Sequence, residues 1–264
     1  MAQQKVNEIN EELRKLNTSL ERKIEERALM FQKANEELDI FLYRSSHDLK
    51  SPVTSLLGLV NVAQMSVKDT LSLELFGQVD TTAKRMQRLI SKLVRIHDIN
   101  EAYPDYALIN LRTLVDKLRA PHEKVITEQQ IDFRARYNDL TVVNGNQVLL
   151  SIILEAIVDN ALIFRKSHGV VPFVELEFKQ EGEYLMIQCV DNGMGMEPEV
   201  RDRAFDMFYM GSELSKGNGL GLYLVRKAVE KLEGRIVLKS EAQKFTHLEI
   251  HVPVRSRIKS QFMV

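Results

Sequence analysis

Three short segments of the sequence combine residues whose types and spacing favour chemistry. The first contains His47 and Asp48, with Ser51 and Pro52 close behind, and the other two are glycine-rich runs. A neutral imidazole is a nucleophile, and an adjacent carboxylate fixes its tautomer and raises the basicity of its free nitrogen. The first segment therefore favours transfer of a group to His47, although a solvated surface histidine without a function fits the same residues.

The second and third segments favour binding of a nucleotide. Gly193 and Gly195 turn the chain sharply after a predicted strand, and Asp191 stands at the mouth of that turn. A buried carboxylate there accepts a hydrogen bond from the exocyclic amine of adenine, and the glycines let the ligand approach the backbone. The third segment contains Gly217, Gly219 and Gly221 and begins an apolar helix. The first backbone N–H groups of such a helix are suited to binding phosphate. Because no strand directly precedes this run, a dinucleotide-binding fingerprint is not predicted.

A helix must position the histidine. Apolar or small residues recur at steps of three and four, which is one helix face: Leu38, Leu42, Ser45, Leu49, Val53, Leu56, Val60 and Ala63. At about 100° per residue His47 projects roughly opposite this face, and Ser51 lies one turn further on its own side. Pro52 removes a backbone donor and predicts a bend. We expect the helix to end near Met65 or Ser66.

A second helix with one apolar face should return antiparallel to the first; its apolar residues are Val79, Ala83, Met86, Ile90 and Leu93. One hairpin has a small core, so two hairpins from two chains are expected to form a dimeric four-helix bundle. Upstream, a coiled-coil seam runs from Val6 to Leu20, and its phase then slips at Ile24 and Ala28. Both a passive oligomerisation stalk and a helix that transmits a signal fit this stutter.

After residue 104 the pattern changes to mixed helix and strand. Strands are predicted at residues 131–137, 174–179, 184–190, 235–240 and 248–252, with a buried helix at 146–166. The predicted fold is α plus α/β, with helices on one face of a mixed sheet. The predicted division is a coiled coil (1–34), a dimerisation and phosphotransfer hairpin (35–103), an ATP-binding domain (104–256) and a tail (257–264).

In order and spacing these segments resemble the two-component sensor histidine kinases, whose catalytic domain is an α/β sandwich of the Bergerat type in the GHKL ATPase superfamily. His-Asp-Leu-Lys-Ser-Pro resembles the phosphoacceptor box around His47. Asn160 matches the asparagine that holds Mg²⁺, and Asp191 matches the adenine reader. The resemblance assigns the nucleotide to these two residues and to Phe164, Gly193, Gly195, Phe208, Gly217, Gly219, Leu220 and Gly221, with Phe205 and Phe208 in its aromatic box.

The resemblance implies autophosphorylation of His47 from ATP and Mg²⁺, then transfer to an aspartate of a response-regulator receiver domain. A carboxylate beside the histidine would stabilise the positive charge that the ring gains on attack, so this role is expected of Asp48. The resemblance assigns Ser51 to orienting water during dephosphorylation of the receiver. Two other functions fit the residues: a catalytically weak or silent ATP-binding scaffold, and an enzyme that is mainly a receiver phosphatase.

Three positions depart from the pattern of the family. Ala156 replaces a common asparagine, Ile163 a usual lysine, and Met210 a frequent basic residue. Each departure removes a polar group from the expected phosphate end of the site. Slow catalysis is therefore expected, with adenine and metal binding retained.

Composition narrows the remaining classes. The 264 residues carry a net charge of −1 with 44% hydrophobic residues, so no overall field favours nucleic acid or an anionic membrane. The single cysteine, Cys189, is expected to be a buried thiol. The absence of a signal peptide and of a long apolar run predicts no direct membrane insertion and a cytoplasmic location, with tethering through a longer parent protein left open. No upstream sensor domain is recognised in this chain.

Overall fold

A computed structural model describes residues 2–103, 105–166, 169–211 and 217–254, and several side chains in the first 39 residues are not described. The predicted tail at 257–264 lies outside these residues, as does Lys216 beside the second glycine run. Two long helices come first: α1 (Ala2–Ser66) and α2 (Thr70–Glu101). The end of α1 confirms the prediction of Met65 or Ser66.

The helices α1 and α2 form the predicted antiparallel hairpin. Asp69 caps α2, because its carboxylate accepts a hydrogen bond from the backbone N–H of Ser72 at 2.8 Å. The buried residues of the hairpin interior come from both helices and include Val53, Val60, Ala83 and Ile90. Nearer the coiled-coil end, Tyr43 stacks on His97 with ring centroids 3.9 Å apart. This ring pair shows which residues of the two helices lie at the same level.

The helix α1 runs without a break through the predicted coiled-coil segment and through Pro52. Leu13, Leu20 and Ile24 are each more than half exposed along it. Apolar side chains on an isolated helix are expected to be covered by a second helix in a coiled coil. Coiled-coil pairing, the stutter and the bend at Pro52 stay predictions.

A five-stranded mixed sheet follows, in the order β2, β4, β5, β7, β6. The strands β2 (Asp132–Arg136) and β4 (Phe173–Glu181) are parallel. All other neighbours are antiparallel: β5 (Tyr184–Asp191), β7 (Phe245–Pro253) and β6 (Arg235–Glu241). Each strand overlaps a predicted one, so the predicted mixed sheet is confirmed.

Several shorter elements were not among the predicted ones. A two-stranded antiparallel sheet pairs β1 (Ala107–Asn110) with β3 (Val142–Gly145). Between them lie α3 (Leu111–Arg119), a 3-10 turn (Ala120–His122) and α4 (Glu123–Glu128), and α6 (Pro198–Asp202) follows β5. The predicted helix at 146–166 is α5 (Gln147–Ile163), three residues shorter at its end, because the chain leaves the helix at Phe164.

The main core lies between the five-stranded sheet and a layer of helices that includes α3, α5 and α7 (Gly221–Lys231). Ile153, Leu176 and Ile250 are completely buried there. Ile96 and Ile99 of α2 belong to the same core, so the hydrophobic core continues across the predicted domain boundary at residues 103 and 104. None of the described helices is long and apolar enough to cross a membrane.

Candidate active site

A cavity of about 230 Å³ lies where α5, the end of β5 and the start of α7 meet. It brings together residues that are far apart in the sequence. Seven of the residues predicted to bind nucleotide line it: Asn160, Phe164, Asp191, Gly195, Gly217, Gly219 and Gly221. The cavity has the concave shape and mixed polar and apolar lining of a small-molecule site.

Asp191 ends β5 and is 7% exposed. Its Oδ1 accepts a hydrogen bond from the backbone N–H of Gly193 at 2.9 Å. Burial raises the pKa of Asp191 to about 6, and this one hydrogen bond opposes the rise only in part. Within the described residues no other side chain or backbone group donates to this carboxylate. Its second oxygen is therefore available to a donor from a ligand.

Two glycines adopt backbone conformations that other residues rarely take. Gly195 has a φ of +59°, and a Cβ there would collide with the carbonyl oxygen of Glu241. Gly219 has a φ of +66°, and its Cβ would collide with the backbone of Phe208, whose N–H donates to the Gly219 carbonyl at 3.0 Å. Both glycines allow a close approach of two backbone segments and so fix the walls of the cavity.

Asn160 projects from α5 toward the start of α7. A Cβ added to Gly221 would lie 3.7 Å from the Asn160 Oδ1 atom, so the glycine keeps the space beside this amide oxygen open. An oxygen donor in an open space is suited to a hard divalent cation. The described residues contain no group of three His, Cys, Asp or Glu side chains that could hold a metal by themselves.

Three of the predicted nucleotide-binding residues do not line the cavity. Gly193 instead supports Asp191, Leu220 is completely buried beneath the loop, and Phe208 is half exposed. The wall near Phe208 is formed by Tyr209 and Met210, which follow it in sequence. A positive φ of +62° at Phe208 contributes to this turn of the chain.

The three departures from the family pattern are all in the cavity. Ala156, Ile163 and Met210 line it, so its wall is apolar at each of these positions. The nearby basic residue Arg165 does not replace the missing polar groups, because it does not line the cavity. Its Nη1 atom donates instead to the carbonyl of Leu162 at 2.6 Å.

His47 lies apart from this cavity, on the exposed side of α1. Its side chain is 75% exposed, and Nδ1 is 3.7 Å from the Oδ1 atom of Asp48. This distance is too long for a hydrogen bond, so in this structure the Asp48 carboxylate does not fix the tautomer of the ring. Ser51 is exposed one turn further along the helix.

Sequence reasoning missed Lys92 of α2, which also lines the cavity. Its Nζ lies 3.4 Å from the Oδ1 atom of Asn218, in the glycine loop. Burial lowers the pKa of Lys92, and the charge of Asp159 opposes that shift. Nothing in the sequence near Lys92 indicates that it lines the cavity, because the lysine belongs to the helical hairpin and reaches the cavity only through packing between α2 and the ATP-binding domain.

Comparisons with known proteins agree with this arrangement. The His Kinase A (phospho-acceptor) domain model matches residues 37–101. The model of the histidine kinase-, DNA gyrase B- and HSP90-like ATPases matches residues 145–256. A phosphoacceptor hairpin followed by an ATPase domain defines the core of a histidine kinase. The chain belongs to the two-component sensor histidine kinases.

Individual relatives are similar over most of this chain. The autoinducer 2 sensor kinase/phosphatase LuxQ of Vibrio vulnificus is 27% identical over 228 residues, which are 81% of this chain and 26% of LuxQ. The sensor-like histidine kinase SenX3 of Mycobacterium tuberculosis is 26% identical over 203 residues, which are 74% of this chain and 49% of SenX3. The chain therefore spans between a quarter and a half of the length of these relatives.

The fold is also similar to that of a solved structure. The crystal structure of full-length ShkA in complex with AMPPNP superposes with a TM-score of 0.66 at 18% sequence identity. The superposition covers 81% of this chain and 45% of ShkA. It includes more than the catalytic domain, so the likeness extends to the combination of helices and sheet.

Proposed function

We propose that this chain transfers the γ-phosphoryl group of ATP to His47 and then to an aspartate of a response-regulator receiver domain. The observation that carries the proposal is the pairing of two features. His47 is exposed on a helical hairpin, and the cavity with Asn160 and Asp191 lies against the second helix of the same hairpin. LuxQ is named a sensor kinase/phosphatase, and ShkA binds an ATP analogue, which supports the assignment.

The cavity offers different groups to the two ends of ATP. The buried Asp191 carboxylate accepts a hydrogen bond from the exocyclic amine of adenine, and Phe164 provides an apolar surface nearby. Gly217 and Gly221 allow the phosphates to approach the backbone N–H groups at the start of α7. Asn160 lies beside Gly221, so its amide oxygen would hold Mg²⁺. Mg²⁺ held there would supply charge neutralisation at the phosphate oxygens.

His47 is the nucleophile. One neutral ring nitrogen attacks the γ-phosphorus, the bond from that phosphorus to the oxygen of ADP breaks, and the ring becomes positively charged. The charge of Asp48, 3.7 Å away, stabilises this cation until the proton on the other nitrogen is lost. The exposure of His47 allows both the ATP-binding domain and a receiver domain to reach it.

The chain is proposed to act as a homodimer in the cytoplasm, where ATP and receiver domains are available. Apolar side chains remain exposed on the hairpin, including Leu49 (47%), Leu59 (68%) and Leu75 (54%). A second hairpin that covers them would complete a four-helix bundle. An upstream sensor domain of a longer protein would supply the signal through α1.

The test is incubation of the chain with γ-labelled ATP and Mg²⁺, followed by treatment with acid and alkali. We expect alkali-stable, acid-labile label on the parent and none on His47→Gln, with the affinity for nucleotide unchanged. Lys68→Gln, at an exposed residue in the turn of the hairpin, is the control and keeps the label. Label that persists on His47→Gln contradicts the proposal, as does labelling that does not depend on Mg²⁺.

A further inference from the structure

The cavity is poor in positive charge, although the proposed ligand carries three phosphates. Among the described residues that line it, Asp191 and Glu197 are acidic and Lys92 is the only basic one. The positions where the family commonly has polar or basic groups are apolar here, as Ile163 and Met210 show. The cation available to the phosphates within the described cavity therefore comes from α2 of the hairpin.

Lys92 is held in place for such a role. It is half-buried, and its Nζ is 3.4 Å from the Oδ1 atom of Asn218, between Gly217 and Gly219 of the phosphate-binding loop. Asp159, which precedes Asn160, is the acidic group that acts on it electrostatically, and Arg88 is the basic one. No carboxylate of the described residues forms a direct ion pair with Lys92. Its charge is consequently not neutralised by a close partner.

The register of the hairpin places Lys92 near the level of the phosphoacceptor. Tyr43 stacks on His97, and both helices rise by about 1.5 Å per residue in opposite directions. Four residues further along α1 is His47, and four residues back along α2 is Leu93, the neighbour of Lys92. The lysine thus lies at the height of His47 on the hairpin while its side chain reaches the nucleotide cavity.

We propose that Lys92 is a phosphate-binding residue of the nucleotide site, so that the site is completed only when the ATP-binding domain docks on α2. This inference rests on the proposed function, because it assigns a contact to the phosphates of the same nucleotide. Lys92 takes the place of the basic groups that are absent at Ile163 and Met210. Its contact with Asn218 links the phosphate-binding loop to the hairpin in the absence of nucleotide.

The experiment compares binding of Mg-AMPPNP and of adenosine by equilibrium titration of the full chain. Lys92→Gln is expected to weaken AMPPNP binding about 10- to 100-fold, the usual effect of losing one hydrogen bond to a charged group, and to change adenosine binding less than about twofold. Lys92→Arg keeps the charge and should restore most of the affinity for AMPPNP.

The matched control is Lys231→Gln. Lys231 also joins the ATP-binding domain to α2, because its Nζ donates to the carbonyl of Asn100 at 2.8 Å, but it does not line the cavity. It should not discriminate between the two ligands. Equal losses for AMPPNP and adenosine in Lys92→Gln, or no loss at all, would overturn the phosphate contact. A parent chain that binds adenosine and not AMPPNP would overturn the inference and the proposed function together, whereas missing His47 label with normal AMPPNP binding would overturn only the latter.

Discussion

The buried carboxylate of Asp191 should strengthen nucleotide binding and, in the absence of nucleotide, destabilise the fold. Replacing Asp191 with Asn keeps the shape and the acceptor for the Gly193 N–H, and it removes the charge. The second oxygen is replaced by an amide NH₂ group, which cannot accept a hydrogen bond from the amine of adenine. We expect the affinity for ATP to fall about 10- to 100-fold, since a hydrogen bond to a charged group contributes roughly 1.5 to 3 kcal/mol.

The same substitution should stabilise the chain without nucleotide. Burial raises the pKa of Asp191 from its ordinary value of 3.8 to about 6. Because the pKa is higher in the folded state, the stabilising contribution of this group is present below pH 3.8 and is lost as the pH rises through about 6. The loss amounts to up to about 3 kcal/mol at pH 7.5 and about half as much at pH 5. Asp191→Asn avoids it.

Thermal unfolding at pH 7.5 and pH 5, together with titration of ATP, measures both effects. At pH 7.5 the variant should unfold up to about 6 to 12 °C above the parent, and the difference should shrink at pH 5. Below pH 6 the affinity of the parent for ATP should fall further than that of the variant, because the asparagine side chain of the variant does not titrate. Asp139→Asn, at an exposed aspartate, is the control and should change neither quantity. Unchanged ATP affinity in Asp191→Asn, or a lower unfolding temperature at pH 7.5, would refute the reasoning.

Two further predictions concern the hairpin and the helix that enters it. Ser51→Ala should slow dephosphorylation of a phosphorylated receiver and leave labelling of His47 intact; equal rates of phosphate release would show that the hydroxyl has no role. Residues inserted one by one between Arg22 and Glu26 should make the kinase rate oscillate, because one residue turns the downstream helix by about 100° and seven restore the seam to within about 20°. A kinase rate that declines steadily with the number of inserted residues, or that does not change, would show that the coiled coil only dimerises the chain.

The long elements were predictable because their patterns repeat many times. The apolar steps along α1 and α2 cover several turns, and the alternation in β4 and β5 covers a whole strand. Only four residues form each of β1 and β3, which is too short for a period to be read. The helix α3 is a different case, because its buried residues follow helical spacing and were readable from the sequence: Leu111, Leu114, Val115 and Leu118.

The residues of the candidate site divide in the same way. Asp191, Asn160 and the glycines stand in local motifs, and the cavity contains most of them. The motif could not show that Phe208 turns outward while Tyr209 and Met210 form the wall, because that depends on a positive φ and on the fit against Gly219. The place of each residue in a motif is local information, whereas the direction of its side chain depends on packing.

The contribution of α2 depends on packing between units and has no local signal. Ile96 and Ile99 continue the apolar face of a hairpin helix in the sequence, yet they are buried in the core of the ATP-binding domain. Lys92 lies one turn before Ile96, so the same docking that buries these isoleucines brings the lysine to the cavity. If the lysine binds the phosphates, a nucleotide favours the docked arrangement, and by reciprocity docking favours the nucleotide. A movement of α1 that shifts α2 would then change ATP affinity as well as the position of His47, through the contact that Lys92 makes with the cavity.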